Sequence, residues 1–328
     1  GIPPAPLRAF LEEMGFRSLL MKVGGGDAAA AAPAPVADDE APFVHKDYAT
    51  ITDEESLDRW IAEAAAAPAI AINTEGDAQN CIRSGLVGIS LAIAPGRACY
   101  VPIGHQGDGL LSEAPVQLPR DLVLARLKPL LEDPATLKIG HNVKHDIILL
   151  RRNGIDVAPY DCTMLLSYDL DAGKHQHGLE DLAGRQLGHT AIQFKAVCGT
   201  GKAQIPFDKV ALDKATEYAA EEADITHRLW RKLKPRLARE AATRVYELVD
   251  RPLVHAVAEM ERAGIKVDRA ELSRLSAGFA QDIARLENEV FALAGTSFTI
   301  GSPKQLGEIL FDKLGLPGGR KGKTGVYS

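Results

Sequence analysis

Apolar side chains recur at helical spacing at Leu7, Phe10, Leu11 and Met14, ahead of Gly15, which predicts a short amphipathic helix at the start of the chain. Residues 24–41 mix flexible Gly with stiff Ala-Pro and hold almost no large apolar side chain, so they read as a linker. Thr52 and Glu55 have the spacing of a capping box, opening a helix that runs through Trp60 to Pro68. Three short runs rich in Val, Ile and Ala follow at Ala69–Asn73, Leu86–Ile93 and Ala98–Pro102, with brief turn-forming connections that suggest an antiparallel meander. The pattern then alternates: a helix over Arg120–Glu132, a short apolar strand at Leu137–Gly140, and a helix from Val143 to Asn153 stopped by Gly154. A helix between strands implies a crossover and a parallel neighbour. Further helices are predicted at Asp161–Leu170, Leu179–Leu187 and Leu212 to about Glu240. From Val245 onward only helical periodicity remains, carried by residues such as Leu253, Val257, Leu272, Phe279 and Ile283. The fold class is therefore α/β, a mixed sheet flanked by helices, followed by a partial all-helical segment.

Composition narrows the class without changing this picture. The 328 residues, 46% hydrophobic and 25% charged, suit about two folded soluble domains and exclude a disordered, collagenous or disulfide-scaffold chain. A net charge of −6 offers no blanket positive field, so any nucleic-acid binding must be local. Cys81, Cys99, Cys162 and Cys198 form no C-x-x-C pair, which argues against a zinc site or disulfide framework and suits a reducing compartment. No uncharged apolar run approaches the ~20 residues that span a bilayer, so no membrane partner is expected.

Three short stretches carry candidate chemistry. Asn73-Thr74-Glu75 ends an apolar strand, where alternation puts Asn73 and Glu75 on one face; polar residues end many strands, so this pair alone defines nothing. In Gly140-His141-Asn142-Val143-Lys144-His145-Asp146 a strand gives way to a helix, and Asp146 near its first turn suits both the helix dipole and catalysis. On the long helix, Tyr218 and Glu222 form an i, i+4 pair with small alanines between them, while Asp224 is rotated well away. By itself this would be a solvated acidic surface. Together, a phenol and several carboxyl or amide oxygens around a mixed sheet have the composition of a two-metal phosphodiester site.

INTEG, IGHNVKHDIILL and EYAAEEADITHRLW, in that order, resemble the three exonuclease motifs of the DNA polymerase I family, whose members are family A DNA polymerases. GLVGISLAIAPGRACYVPIGH and FKAVCGTGKAQIPF resemble the same proofreading domain, AFLEEMGFRSLL the end of the 5′-nuclease region, and GSPKQLGEILFDKLGLP the opening of the polymerase domain. The resemblance implies a ribonuclease-H-like 3′-5′ exonuclease domain at 42–238, preceded by a 5′-nuclease tail at 1–23 and the linker at 24–41. A truncated polymerase region would follow at 239–328, the polymerase catalytic residues lying beyond the part matching Ser328. It further implies Mg²⁺ or Mn²⁺ held by Glu75, Asp146 and Glu222, with Tyr218 positioning the attacking water. Asn142 and Gln79 would contact DNA. The implied partner is a single-stranded 3′ end, or primer-template in the parent protein, bound by a monomer in the cytoplasm near the nucleoid.

Two departures bear on that expectation. The family's first motif is Asp-x-Glu, and here Asn73 replaces the aspartate that bridges both metals, offering one neutral carbonyl oxygen for two charged ones. Glu222 replaces the third-motif aspartate with a side chain one methylene longer. Gly76 and Gln79 stand where a β-branched and an apolar residue are expected, which removes the wedge against the terminal base. The exonuclease site is therefore expected to be degenerate and the domain to act mainly as a structural or weak DNA-binding platform, the alternative being an active exonuclease on single-stranded DNA. Other motifs are weaker. Gly199-Thr200-Gly201-Lys202 fails as a phosphate loop at Ala196 and Ala203, His175 and His177 lack a third ligand at useful spacing, and Arg320, Lys321 and Lys323 form a small basic tail.

Overall fold

The structure, a computed structural model, describes residues 4–14, 16, 19, 42–78, 80–107, 114–322 and 327. Two compact units emerge, Gly1–Ala263 and Gly264–Ser328. The first carries a six-stranded sheet: β1 (Ala49–Thr50), β2 (Ala69–Gly76), β3 (Leu86–Ala94), β4 (Arg97–Pro102), β5 (Leu137–Gly140) and β6 (Tyr160–Cys162), in the order β1-β4-β3-β2-β5-β6. β2, β3 and β4 form the expected antiparallel meander, with Ile72 opposite Leu91 and Leu91 opposite Cys99. β5 and β6 continue the sheet in parallel, as does β1 along β4.

The sequence Ala69-Ile70-Ala71-Ile72 of β2 explains how the sheet is covered on both sides. Alternate residues face opposite ways. Ile70 and Ile72 enter an aliphatic core with Leu57 and Trp60 of α2 (Glu54–Ala66), Val123 and Leu127 of α3 (Arg120–Glu132), and Ile147 and Ile148 of α4 (Lys144–Arg151). Ala69 and Ala71 meet Ala220 and Ala223 of the 28-residue α6 (Leu212–Arg239). Small side chains on both partners let this helix lie close against the sheet. The period of two then carries Asn73 and Glu75 onto the α6 side and Thr74 onto the α4 side.

Several local expectations are corrected. Asp53, not Thr52, caps α2, its carboxylate accepting from the Ser56 N–H at 2.8 Å, because the helix begins one residue later than the capping-box spacing requires. β2 extends to Gly76, past the Asn73 where its apolar run stops. Asp161 lies in β6 rather than in a helix, and α5 (Thr163–Asp171) starts after it. The Leu179–Leu187 segment is one α-helical turn followed by a wider π turn from Ala183. α1 (Pro4–Glu13) forms as expected, whereas the 24–41 segment lies outside the described residues.

The first unit runs on past residue 238, where the sequence suggested a boundary. Tyr246 is fully buried and donates to Asp161 Oδ1 at 2.9 Å, and Val254 and Ala258 of α7 (Arg251–Ala263) join the aliphatic core. The second unit holds α8 (Arg269–Ala294), capped by Asp268, and a short helix Pro303–Gly307 capped by Ser302. Cys81, Cys99, Cys162 and Cys198 are free thiols, and no described helix is long and apolar enough to cross a membrane.

Candidate active site

The end of β2, the first turn of α4 and one face of α6 bring together Asn73, Glu75, Asp146, Tyr218 and Glu222. Asn73 is the hub: its Nδ2 donates to Glu75 Oε1 at 3.0 Å and to Glu222 Oε2 at 2.8 Å. With both carboxylates ionised this orientation is the favoured one, since the flipped amide would turn its carbonyl oxygen toward both. Tyr218 donates to the other oxygen of Glu222 at 2.7 Å, completing the i, i+4 pair on α6. Asp146, 1% exposed, is held from β2 itself: the Thr74 N–H and hydroxyl both donate to Oδ1, at 2.8 and 2.6 Å. Strand alternation thus sends Thr74 toward Asp146 on one side and Asn73 and Glu75 toward α6 on the other.

Electrostatics show how little positive charge this cluster contains. Burial, opposed by the Thr74 hydrogen bonds, pushes Asp146 up to about 7. Burial likewise raises Glu222 to about 7, against hydrogen bonds from Tyr218 and Asn73. Glu75 is raised well above the usual carboxylate range by burial and then by the neighbouring Glu222 and Asp146 charges. Burial also drives the Tyr218 phenol upward, so it remains a neutral hydrogen-bond donor.

A cleft of about 450 Å³ opens beside these residues, lined by Thr74, Glu75, His145, Phe194, Gln204 and Phe207 among others. Phe194 and Phe207 flank the phenol, their ring centroids 6.2 and 5.9 Å from that of Tyr218. Sequence reasoning missed both, because they belong to the Phe194–Phe207 stretch whose glycines suggested only a failed phosphate loop; the aromatic residues bracketing it were the available signal. Gly201 of that motif lies on the cleft wall. At Gly76, a Cβ would come 2.1 Å from Ser84 Oγ, so the following loop occupies the space of a larger residue.

Of the residues expected to contact DNA, Asn142 is exposed, with φ 55° in the left-handed region that Asn tolerates, at the β5–α4 junction. Gln79 lies outside the described residues, as does Lys323. His175 lies 3.8 Å from both Asp171 and Asp181, and His177 pairs with Ser167 at 2.8 Å, away from the cluster. Asp224 is turned away from the site, accepting from Tyr48, Gly96 N–H and Arg228. Glu221 and Asp224 are fully buried, so this part of α6 is no solvated acidic surface.

A mixed sheet of this order, flanked by helices on both faces, has a ribonuclease-H-like fold. Residues 48–238 match the family model described as 3′-5′ exonuclease, and the chain belongs to that family. Residues 269–328 match the model of DNA polymerase family A. The chain is similar to the DNA polymerase I of Rhizobium leguminosarum, 50% identical over 303 residues, covering 88% of this chain and 30% of the relative. It is 41% identical over 290 residues to that of Pseudomonas aeruginosa, with 86% and 31% covered. The chain therefore spans about a third of the length of these relatives. Among solved structures, the POL domain of Pol1 from M. smegmatis, in complex with DNA primer-template and dNTP, aligns with TM-score 0.67 at 24% identity. That alignment covers 85% of this chain and 43% of the other, and supports the fold.

Proposed function

We propose that this chain serves DNA replication and repair as part of a DNA polymerase I, with an exonuclease-like domain at 42–238 whose metal site is degenerate. The domain acts mainly as a structural or weak DNA-binding platform beside a polymerase region that begins within 239–328. The observation that carries this reading is the Asn73 amide nitrogen donating to both Glu75 and Glu222. A divalent cation needs acceptor oxygens on every side. Here a donor stands between two of the three carboxylates and supplies the attraction that a cation would otherwise supply.

The donor set fits Mg²⁺ or Mn²⁺ in part. Glu75, Asp146 and Glu222 offer the hard carboxylate oxygens such ions prefer and would hold them, while Asn73 as oriented opposes them. When bound, the ions would supply an activated water and stabilise charge on the phosphate under attack. The chain's own residues have separate tasks. The neutral Tyr218 phenol would orient the water, Phe194 and Phe207 would wall the terminal nucleotide from solvent, and exposed Asn142 would touch the strand. A loss of about 4 kcal/mol of transition-state stabilisation at the altered ligands lowers the rate about a thousandfold. The partner on this reading is a single-stranded DNA 3′ end, met by a cytoplasmic, nucleoid-associated monomer.

A second reading, an active 3′-5′ exonuclease, draws on the convergence of three carboxylates and the phenol beside an open cleft. Degradation of a 3′-labelled single-stranded DNA with Mg²⁺ or Mn²⁺ separates the two. The platform reading expects silence from the unmodified chain and activity from Asn73→Asp/Glu222→Asp. Activity of the unmodified chain that disappears in Glu75→Ala would sink the platform reading and establish the enzyme.

A further inference from the structure

On the other side of α6, away from the carboxylate cluster, His45, His189 and Glu221 converge with their ligating atoms within 4.8 Å of one another. His45 Nε2 lies 2.7 Å and His189 Nε2 2.6 Å from the same oxygen, Glu221 Oε1, while the Ile192 N–H donates to Oε2 at 2.7 Å. Glu221 is fully buried, but the imidazoles reach the surface, with side chains 34% and 17% exposed. We propose that these three side chains form a zinc-class transition-metal site that fastens the His45–Asp47 turn to α6, independent of the reading of the carboxylate cluster.

The donor set is the first argument. Two imidazole nitrogens and one carboxylate oxygen suit Zn²⁺, whereas the all-oxygen cluster around Glu75 suits Mg²⁺ or Mn²⁺. Geometry is the second. Tetrahedral zinc with bonds of about 2.0 to 2.1 Å separates its ligand atoms by roughly 3.3 Å, so each imidazole must withdraw from Oε1 while the two Nε2 atoms, within 4.8 Å of one another, take up the same separation. Partial exposure of both rings permits that movement and leaves the fourth position to water.

Proton bookkeeping is the third. Each imidazole presents its Nε2 to Glu221; zinc would displace the proton from Nε2, and the remaining ring proton would sit on Nδ1. The surroundings already orient the ligands. Phe43 stacks on the His189 ring at a centroid distance of 3.7 Å and an interplanar angle of 12°, and the Arg228 guanidinium lies 4.0 Å from the Phe43 ring centre. Tyr48, three residues beyond His45, anchors to Asp224 at 2.8 Å. These contacts hold the His189 ring and the His45 turn in place beside Glu221.

The test uses the whole 328-residue chain, free of any histidine tag and stripped by chelator, titrated with Zn²⁺ against a chromophoric competitor. One equivalent should bind, at least tenfold more weakly in His45→Ala and in His189→Ala, and unchanged in Asp146→Asn. X-ray absorption of zinc on the unmodified chain reads the ligands even if a histidine variant fails to fold, and should show two imidazoles. Zinc lost in Asp146→Asn yet retained in both histidine variants would overturn the proposal. So would sulfur scattering from the free cysteines, an absence of imidazole scattering, or no bound equivalent at all.

Discussion

Glu221 and Glu222 are neighbours in sequence, yet α6 turns them toward opposite environments. Glu221 accepts from two imidazoles and a backbone N–H, and Asp224, one turn on, from Arg228, Tyr48 and the Gly96 N–H. Glu222 instead meets Glu75 across the Asn73 amide, close to Asp146, with no cationic side chain among its hydrogen-bond partners. Buried acids that serve the fold come with their own donors; acids assembled for chemistry are left with raised pKa values and mutual repulsion. At the second cluster one amide offsets part of that repulsion, which is why Asn73 bears on both stability and function.

Removing an acid should act in opposite directions at the two clusters. The largest effect belongs to Asp224→Ala, which removes the buried ion pair with the 3% exposed Arg228 and the acceptor for Tyr48 and the Gly96 N–H, and should cost about 3 to 5 kcal/mol of unfolding free energy by urea denaturation. A smaller loss, about 1 to 3 kcal/mol, is expected for Asn73→Asp in chelator, since a donor to two carboxyl groups becomes a fourth acid in the crowded cluster. Millimolar Mn²⁺ should recover it. Replacing Glu222 by Gln should instead stabilise the metal-free chain by about 1 kcal/mol at pH 8, because it removes a charge from the crowded cluster. Least of all, Glu289→Ala, which breaks an exposed pair with Arg285 in α8, should change stability by less than about 0.5 kcal/mol.

The pH dependence sharpens the same contrast. Asp146 and Glu222 are raised to about 7 from ordinary values near 4, so between these limits the folded chain binds more protons than the unfolded one. Their contribution is fully present below about pH 4 and is lost as pH rises through 7. His141 and His227, lowered to about 4 by burial, act in the opposite sense: their neutral forms suit the fold above about pH 6.5, and stability is lost as pH falls toward 4. The advantage of Glu222→Gln over the unmodified chain should therefore grow from pH 4 to pH 8. A constant difference in urea midpoints across that range would contradict the raised Glu222 value.

Much of this was legible in the chain. The four longer strands announced themselves as apolar runs, and the crossover helix correctly implied a parallel β5. β1 and β6, two and three residues long, are too short for any period to register. The alternation Ala-Ile-Ala-Ile-Asn-Thr-Glu already encoded which residues face α6, although the tie between Thr74 and Asp146 spans 72 positions and appears only in three dimensions. Local motif spacing could not reveal the Phe194 and Phe207 walls of the cleft. Nor could it reveal the His45, His189 and Glu221 group, whose contacts join residues 176 and 32 positions apart.

The most direct measurement is Mn²⁺ binding to the unmodified chain and to Asn73→Asp, by calorimetry or by the paramagnetic signal of free Mn²⁺. The comparison is repeated with His45 and His189 both replaced, so that in that pair only the carboxylate cluster is read. If the Asn73 amide stands in for a cation, the unmodified site binds weakly and the aspartate variant at least tenfold more tightly. Equal, tight binding in both, abolished by Glu75→Ala, would contradict that claim.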